Sequence, residues 1–195
     1  MKCLVCERFS LQAVCKACIA AIPLTPRYRI LADSIKAYSF YRYEDVMLLM
    51  QSKYSLIGSR ILPLLAKKAA LYFFTHNMEV LESMQGVQIL GLDDYPYGAY
   101  SHNGVMMRVF VKESRGCFKA HYGVFKAQNN VKYAGESLAF RQKNPKRFVL
   151  QKPLKDSHII LFDDIITTGT SLNEAINVLK PNYKIVFCLT LCDAR

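Results

Sequence analysis

The chain has 195 residues, of which 52% are hydrophobic, and its formal net charge is +11. This length suits one α/β domain with a small addition, and the hydrophobic fraction permits a large buried core. The sequence has no run of about 18 uncharged apolar residues and therefore predicts no membrane-spanning helix. It begins Met-Lys-Cys without an apolar signal core, so we expect a cytoplasmic protein. Seven cysteines in such a protein are more typical of metal ligands or buried thiols than of disulfides.

Four cysteines near the N-terminus form two Cys-x-x-Cys pairs, namely Cys3, Cys6, Cys15 and Cys18. Each pair places two thiolates on one tight turn, and two pairs complete the tetrahedral S4 set that structural zinc prefers. An iron–sulfur or redox role is the alternative, although redox chemistry normally needs only one such pair. Because no ligand position stays open, we predict a structural zinc finger over residues 1–22, or a contact surface, and not a catalytic metal centre.

The remaining residues, 23–195, alternate between apolar strands and amphipathic helices, which is typical of an α/β domain. We expect residues from about 23 to 80 to form a hood segment of this domain. The loop after the strand at 87–92 should help to build a ligand crevice, because ligands bind at the carboxyl ends of strands in doubly wound sheets. The pattern predicts these elements in chain order: a strand over 34–42, helices over 44–53 and 60–74, a strand over 87–92, a helix over 105–114, and strands over 116–120 and 183–191.

One stretch near the C-terminus combines a buried strand, two carboxylates and a loop of small residues. The apolar run 159–162 is typical of a strand buried on both faces of a parallel sheet. Asp163 and Asp164 follow this run, and the hydroxyl-rich loop 167–171 then leads into an amphipathic helix. We expect an anion site here, because the free backbone N–H groups and the dipole of the helix face the loop.

A capping box predicts where this helix begins. Ser171 stands three residues before Glu174, the spacing at which each side chain bonds the backbone N–H group of the other residue. Pro181 marks the expected end of the helix. The helix should therefore start next to the loop.

The residue types around the acidic pair narrow the class of anion. The loop has no lysine, so it is not a Walker-type nucleotide site. Two adjacent aspartates suit a ligand with vicinal hydroxyls and a magnesium ion, and a sugar phosphate meets this description. The alternative is an ordinary strand-to-helix turn that carries two exposed aspartates.

This stretch resembles the phosphoribosyl pyrophosphate (PRPP) signature of type I phosphoribosyltransferases, which reads as hydrophobic residues and then DD-x-x-TTG-x-S. The resemblance implies a parallel sheet flanked by helices, with the aspartates near the ribose hydroxyls and the loop around the 5′-phosphate. It also implies magnesium as the metal that accompanies PRPP. The PRPP-binding residues that it implies are Asp163, Asp164, Ile165, Ile166, Thr167, Thr168, Gly169, Thr170 and Ser171.

Almost the whole chain resembles the ComF family of competence proteins. This resemblance rests on the cysteine finger, on Lys53 and Tyr54 with Gly58 before a helix, and on the PRPP loop. It implies a part in natural transformation, in which the protein assists the uptake of single-stranded DNA across the inner membrane. We expect a cytoplasmic protein, at most peripheral at that membrane, with the DNA-uptake machinery as a partner.

Two segments depart from the family pattern, and one agrees with it. Family members carry a Pro-Val-Pro strand end and an Arg-Gly-Phe-Asn-Gln-like stretch, where this chain has Gly-Leu-Asp at 91–93 and Asn-Gly-Val at 103–105. Asp93 and Asp94 would repel pyrophosphate unless magnesium intervenes. In contrast, the segment 140–148 agrees with the family's R-x-x-N-x-x-x-F pattern.

The positive charge is concentrated in one part of the chain. Between Arg108 and Lys155 there are twelve Lys or Arg residues and only two Glu residues. Seven aromatic residues are interleaved with them, a composition typical of surfaces that bind phosphate backbones and stack bases. The alternative is an ordinary solvated face. We expect a mobile loop at the densest part of this segment, with these nucleic-acid-binding residues: Arg141, Lys143, Lys146 and Arg147.

Three functions are consistent with these patterns. The favoured one is a PRPP-binding, DNA-contacting protein that assists the uptake of single-stranded DNA. The rival is an active phosphoribosyltransferase, in which a nitrogenous acceptor displaces pyrophosphate and magnesium and the acidic pair stabilise the developing charge. The third is a relic site whose finger recruits a protein partner.

Overall fold

A seven-stranded sheet flanked by helices forms the body of the protein in the computed structural model, which describes residues 1–77, 84, 86–94, 100–133 and 135–195. Within these residues the strands are β1 (Arg27–Ile30), β2 (Lys36–Ser39), β3 (Tyr41–Arg42), β4 (Val87–Gly91), β5 (Phe118–His121), β6 (Phe125–Ala127), β7 (Phe148–Leu150), β8 (His158–Ile166) and β9 (Lys184–Asp193). The α-helices are α1 (Lys16–Ala21), α2 (Tyr43–Gln51), α3 (Gly58–His76), α4 (His102–Glu113), α5 (Leu138–Lys143) and α6 (Thr170–Leu179). None of these helices combines the length and the apolar character needed to cross a bilayer.

The strands of the large sheet follow the order β1-β2-β9-β8-β4-β5, and β3 pairs with β9 beyond the end of β2. Neighbours from β2 to β5 run parallel, whereas β1 runs antiparallel to β2. Strands β6 and β7 form a separate antiparallel pair. This topology, with the cysteine cluster described below, confirms the predicted α/β fold class. The carboxyl ends of β4, β8 and β9 consequently meet at one edge of the sheet.

Helices cover both faces of the sheet. On one face, α3 and α4 pack against β8, and the rings of Phe110 and Phe162 lie with centroids 5.2 Å apart. On the other face, Leu172 and Ile176 of α6 pack in the same cluster as Leu161. Because successive strand residues point to opposite faces, a strand covered on both sides is apolar at every position. This explains the continuous apolar run 159–162 that predicted β8.

The largest difference from the predicted elements lies at the start of the hood segment. The single strand expected over 34–42 is divided into β2 and β3, and β1 precedes it as an unpredicted hairpin partner. Between β1 and β2 the chain turns through Asp33, whose φ of 55° lies in the left-handed region that aspartate tolerates. A second difference is that β8 extends through both aspartates to Ile166, so the acidic pair lies within the strand.

The N-terminal cysteine segment packs on the hood helices. Ala13 and Val14 are buried in one cluster with Ile61 of α3. In addition, Lys68 Nζ donates hydrogen bonds to the carbonyl oxygens of residues 19, 20 and 22 at the end of α1. A lysine at this position stabilises the helix because it bonds the last free carbonyls and favours the negative end of the dipole. The boundary at residue 22 remains a prediction.

Candidate functional site

The loop between β8 and α6 forms a shallow cradle at the carboxyl edge of the sheet. Gly169 precedes α6 with a φ of +81°, a conformation that side chains other than glycine rarely adopt. The turn directs the N-terminus of α6 toward the cradle, where free N–H groups favour an anion. The cradle is open to solvent and is lined by Arg141, Asp163, Ile165, Ile166, Thr167, Gly169, Thr170, Ser171 and Leu172.

The capping box predicted for this helix is wrong. The helix begins at Thr170, one residue before Ser171. Gly169 is the N-cap residue, and no side-chain hydrogen bond caps the helix. Glu174 instead accepts hydrogen bonds from the backbone N–H groups of Lys146, at 3.0 Å, and Arg147, at 2.6 Å. This carboxylate therefore ties α6 to the segment before β7 and leaves the helix N-terminus available to a ligand.

Two guanidinium groups contact the cradle loop. Arg141 is only 9% exposed, and its Nη1 donates to the hydroxyl oxygens of Thr167 and, at 3.5 Å, Thr168. From the other side, Arg29 of β1 donates to the backbone carbonyl of Thr167. Arg29 also forms a paired contact with Asp193, whose Oδ2 lies 2.9 Å from Nε. The sequence did not predict Arg29 as a site residue, because it did not predict strand β1.

The acidic pair lies beside the cradle and is contacted by nitrogen donors. Lys53 Nζ lies 2.5 Å from Asp164 Oδ2, and His102 Nε2 lies 3.5 Å from the same oxygen. Oδ1 of Asp163 accepts from the backbone N–H of Asp164 at 2.9 Å and from Asn103 Nδ2 at 3.2 Å. The structure thus brings hood, helix α4 and strand β8 together at two carboxylates.

The two aspartates differ in electrostatic environment. Burial, and then repulsion by Asp164, raise the pKa of Asp163 to about 7. Burial alone would raise the pKa of Asp164 as well, but Lys53 and His102 hold it at about 2. Although burial alone would lower it, the pKa of Lys53 is raised by the Asp164 carboxylate. Asp164 is therefore the ionised member of the pair, and Asp163 exchanges a proton near neutral pH.

The acidic residues after β4 are also compensated. Lys146 Nζ pairs with Asp94, and Ser101 Oγ donates to Asp93 Oδ1 at 2.6 Å. Burial raises the pKa of Asp93, although the hydrogen bond from Ser101 opposes this shift. The pairing of Asp94 with Lys146 weakens the repulsion of pyrophosphate expected from this segment.

The four residues predicted to bind nucleic acid face in two directions. Arg141 and Lys146 point toward the cradle and the acidic residues, whereas Lys143 and Arg147 are exposed. The segment expected as a mobile loop, residues 141–147, begins within α5, whose N-terminus is capped by Ser137. The side-chain oxygen of Ser137 accepts from the backbone N–H of Phe140 at 3.2 Å. Nucleic-acid binding remains a prediction. Of these four residues, Lys143 and Arg147 are the two that are exposed to a nucleic-acid strand.

The four N-terminal cysteines form a compact sulfur cluster. Their Sγ atoms, from Cys3, Cys6, Cys15 and Cys18, all lie within 4.8 Å of one another. Cys6 Sγ and Cys15 Sγ are 3.8 Å apart, which matches the edge of a tetrahedron with zinc–sulfur bonds of about 2.3 Å. The donor set therefore fits a structural metal ion such as zinc.

Hydrogen bonds and charge also fit a metal at this cluster. The backbone N–H of Cys15 donates to Cys3 Sγ at 3.2 Å, and this is the main reason that the pKa of Cys3 is lowered to about 6. The pKa of Cys18 is raised to about 12, because its thiol hydrogen-bonds to Cys15 and Cys6. Four thiolates this close repel one another unless a cation lies among them.

Comparisons with known proteins give one sequence relative and several distant structures. No family model matches the chain. It is 32% identical over 68 residues to orotate phosphoribosyltransferase of Coccidioides immitis (strain RS), a match that covers 34% of this chain and 29% of that enzyme. Hypoxanthine phosphoribosyltransferase of Staphylococcus aureus has a TM-score of 0.40 at 14% identity, with 68% of this chain and 62% of that one covered. UMP synthase of Leishmania donovani has a TM-score of 0.36 at 14% identity, with 91% and 30% covered.

The structure shows an α/β domain with a mostly parallel sheet and a four-cysteine cluster at its N-terminus. Over one segment of 68 residues the chain is similar to a phosphoribosyltransferase. The chain spans less than a third of the sequence relative and less than two thirds of both solved proteins. The resemblance to the ComF family stays an interpretation of the motifs.

Proposed function

We propose that this protein binds PRPP at the carboxyl edge of its sheet. The 5′-phosphate lies in the cradle at the N-terminus of α6, and the ribose hydroxyls meet Asp163 and Asp164. The observation that carries this proposal is the cradle itself, in which a left-handed Gly169, a helix N-terminus and the guanidinium of Arg141 face one small volume beside two carboxylates.

We propose a separate task for each part of the ligand. A phosphate dianion suits the cradle, because Arg141 and the helix dipole both contribute positive potential. Vicinal hydroxyls suit the acidic pair, because one carboxylate is ionised and accepts hydrogen bonds while the other exchanges a proton. The magnesium ion expected from the sequence would approach the same oxygens, of which Asp164 Oδ2 already bonds Lys53.

Isothermal titration calorimetry with PRPP tests this proposal. The double variant Asp163→Asn/Asp164→Asn keeps the shape of both side chains and removes their charge, so we expect PRPP binding to fall below detection. Circular dichroism and zinc content should stay unchanged. A matched control is Asp45→Asn, because Asp45 lies in the first turn of α2, outside the site. The assignment fails if the double variant binds PRPP as tightly as the parent.

We further propose that the biological setting is the uptake of single-stranded DNA. The support is the resemblance to the ComF family and the concentration of positive charge between Arg108 and Lys155. Lys143 and Arg147 are exposed next to the PRPP site, so a bound strand would pass close to it. In this setting the protein binds single-stranded DNA and works beside the uptake machinery at the inner membrane, with PRPP as ligand or regulator.

An active transferase is the second candidate, favoured by the match to an orotate phosphoribosyltransferase. In that reaction a nitrogen nucleophile forms a bond to the ribose carbon while the bond to pyrophosphate breaks. Release of pyrophosphate from PRPP, measured with each candidate base, separates the two functions. Turnover with one base supports the transferase, and tight PRPP binding without turnover supports the binding function.

A further inference from the structure

We propose that Lys53 supplies, at the acidic pair, the positive charge that a magnesium ion would otherwise supply. Binding of PRPP then depends on Lys53 and only weakly on magnesium. This inference rests on the proposed binding of PRPP, and it assigns a role to a hood residue that the loop signature does not include.

The contact between Lys53 and Asp164 is short and shielded from water. Nζ lies 2.5 Å from Oδ2, and the two side chains are 14% and 8% exposed. His102 Nε2 approaches the same oxygen to 3.5 Å. An ammonium ion at this distance lies where a divalent cation would have to bind that oxygen. Because Mg²⁺ demands oxygen ligands at about 2.1 Å in near-ideal octahedral geometry, the two cations exclude each other there.

One oxygen of each of two other carboxylates near the site is engaged as well. Asp163 Oδ1 already accepts two hydrogen bonds, one of them from Asn103. Asp94 pairs with Lys146. At this edge of the described structure two lysines thus compensate two carboxylates, so these carboxylates repel a diphosphate less. Lysine also binds phosphate as a compact point charge.

The fold holds Lys53 in place before any ligand binds. The residue lies in the 3₁₀ turn Ser52–Tyr54 between α2 and α3. A Cβ atom at Gly58 would come within 2.3 Å of both the Ser52 carbonyl oxygen and the Tyr100 hydroxyl, so the start of α3 packs closely against this turn and against Tyr100. Lys53 Nζ also lies 5.1 Å from the centre of the Tyr54 ring. A pre-positioned cation binds with little loss of side-chain entropy.

The decisive experiment measures PRPP affinity with and without magnesium. Buffers are depleted of metal with a resin and contain no soluble chelator, so that the finger keeps its zinc. We expect the dissociation constant of the unaltered protein to change by less than about threefold between the two buffers. This measurement needs no variant, and so it does not depend on the folding of one.

Variants then test whether Lys53 is the reason that PRPP binding does not depend on magnesium. Lys53→Met should weaken binding without magnesium by about tenfold or more, because it removes a positive charge that is shielded from water. Magnesium should restore much of that affinity by entering the vacated position. Lys53→Arg should keep most of the magnesium independence, since it keeps the charge. Lys67→Met, at an exposed position of α3, is the matched control and should behave like the parent in both buffers.

Three results would overturn the inference. The first is a loss of about tenfold or more in affinity when magnesium is removed from the unaltered protein, which would leave PRPP binding itself established. The second is a Lys53→Met variant that matches the parent in both buffers. The third is no binding in either buffer, which would overturn the proposed PRPP site together with the inference.

Discussion

The cysteine finger and the carboxyl edge of the sheet both gather like charges in a small volume, and they compensate those charges differently. In the finger, four thiol sulfurs lie within 4.8 Å of one another. Among the described residues, no lysine or arginine donates a hydrogen bond to them. At the sheet edge, Asp164 and Asp94 pair with Lys53 and Lys146. We infer from this difference that a bound metal ion would supply the positive charge in the finger, whereas the sheet edge carries its own cations.

Removal of the metal from the finger should have the largest effect. Structural zinc contributes on the order of 10 kcal/mol to the folding of isolated fingers. We expect one zinc per chain in the purified protein and its loss in Cys6→Ser, with a lower melting temperature because the cluster shares a core with Ile61. Elemental analysis and thermal unfolding measure both effects. Cys117→Ser, outside the cluster, should keep its zinc, and iron or no metal in the parent would contradict the assignment.

Breaking the pair of Lys53 and Asp164 at the sheet edge should have the second-largest effect. Asp164→Leu leaves the ammonium of Lys53 shielded from water without its carboxylate, which we expect to cost about 3–5 kcal/mol in the free energy of unfolding. Replacing both partners, as Lys53→Met/Asp164→Leu, should cost much less, because no uncompensated charge is left. Urea unfolding of the zinc-loaded protein, with each single variant and the double variant, measures this effect. Strictly additive effects would show that the two side chains do not compensate each other.

The two aspartates should respond differently to pH. The folded pKa of Asp163 is raised to about 7, so its contribution to stability is fully present below the unfolded value near 3.9 and is lost as pH rises through about 7. Asp163→Asn should therefore flatten the dependence of stability on pH between about 4 and 7. The contribution of Asp164, whose pKa is lowered to about 2, is lost only as pH falls through that value. Urea midpoints across this range check the prediction, and an unchanged slope in Asp163→Asn would contradict it.

The smallest effect should be on ligand binding by the four cations of the basic segment. It should distinguish the exposed Lys143 and Arg147 from Arg141 and Lys146, which face the cradle and Asp94. Lys143→Ala/Arg147→Ala should weaken the binding of a single-stranded oligonucleotide and lower the log–log salt slope by roughly 0.7 for each phosphate that is no longer neutralised. PRPP binding should not change. Arg141→Ala/Lys146→Ala should weaken PRPP binding and leave oligonucleotide binding unchanged, because these side chains face the cradle and Asp94. Fluorescence anisotropy at several salt concentrations measures the slope, and equal effects of the two pairs on both ligands would remove this distinction.

Local patterns predicted the parts of the site that one continuous segment supplies. The run 159–162 followed by Asp163 and Asp164 predicted a strand end with carboxylates, because apolar continuity and chain order are visible in the sequence. The paired cysteines likewise predicted their own cluster. Both depend on residues close together in the chain.

Parts that depend on long-range packing were missed. Lys53 is 111 residues from Asp164, and Arg29 is 138 residues from Thr167, so no local spacing connects them. Arg141 was read as a surface cation because charge alone does not reveal which face of a six-residue helix is buried. Glu174 had the spacing of a capping box but found better donors in the backbone of the segment before β7. Such errors arise wherever tertiary contacts compete with a local motif.

A crystal structure of the zinc-loaded protein with PRPP would locate the ligand. We expect the 5′-phosphate within hydrogen-bonding distance of the backbone N–H groups at residues 168–171 and of Arg141, with the ribose hydroxyls on Asp163 and Asp164. We also expect Lys53 to stay within reach of Asp164. PRPP bound away from this edge, or with its 5′-phosphate outside the cradle, would refute the proposed site.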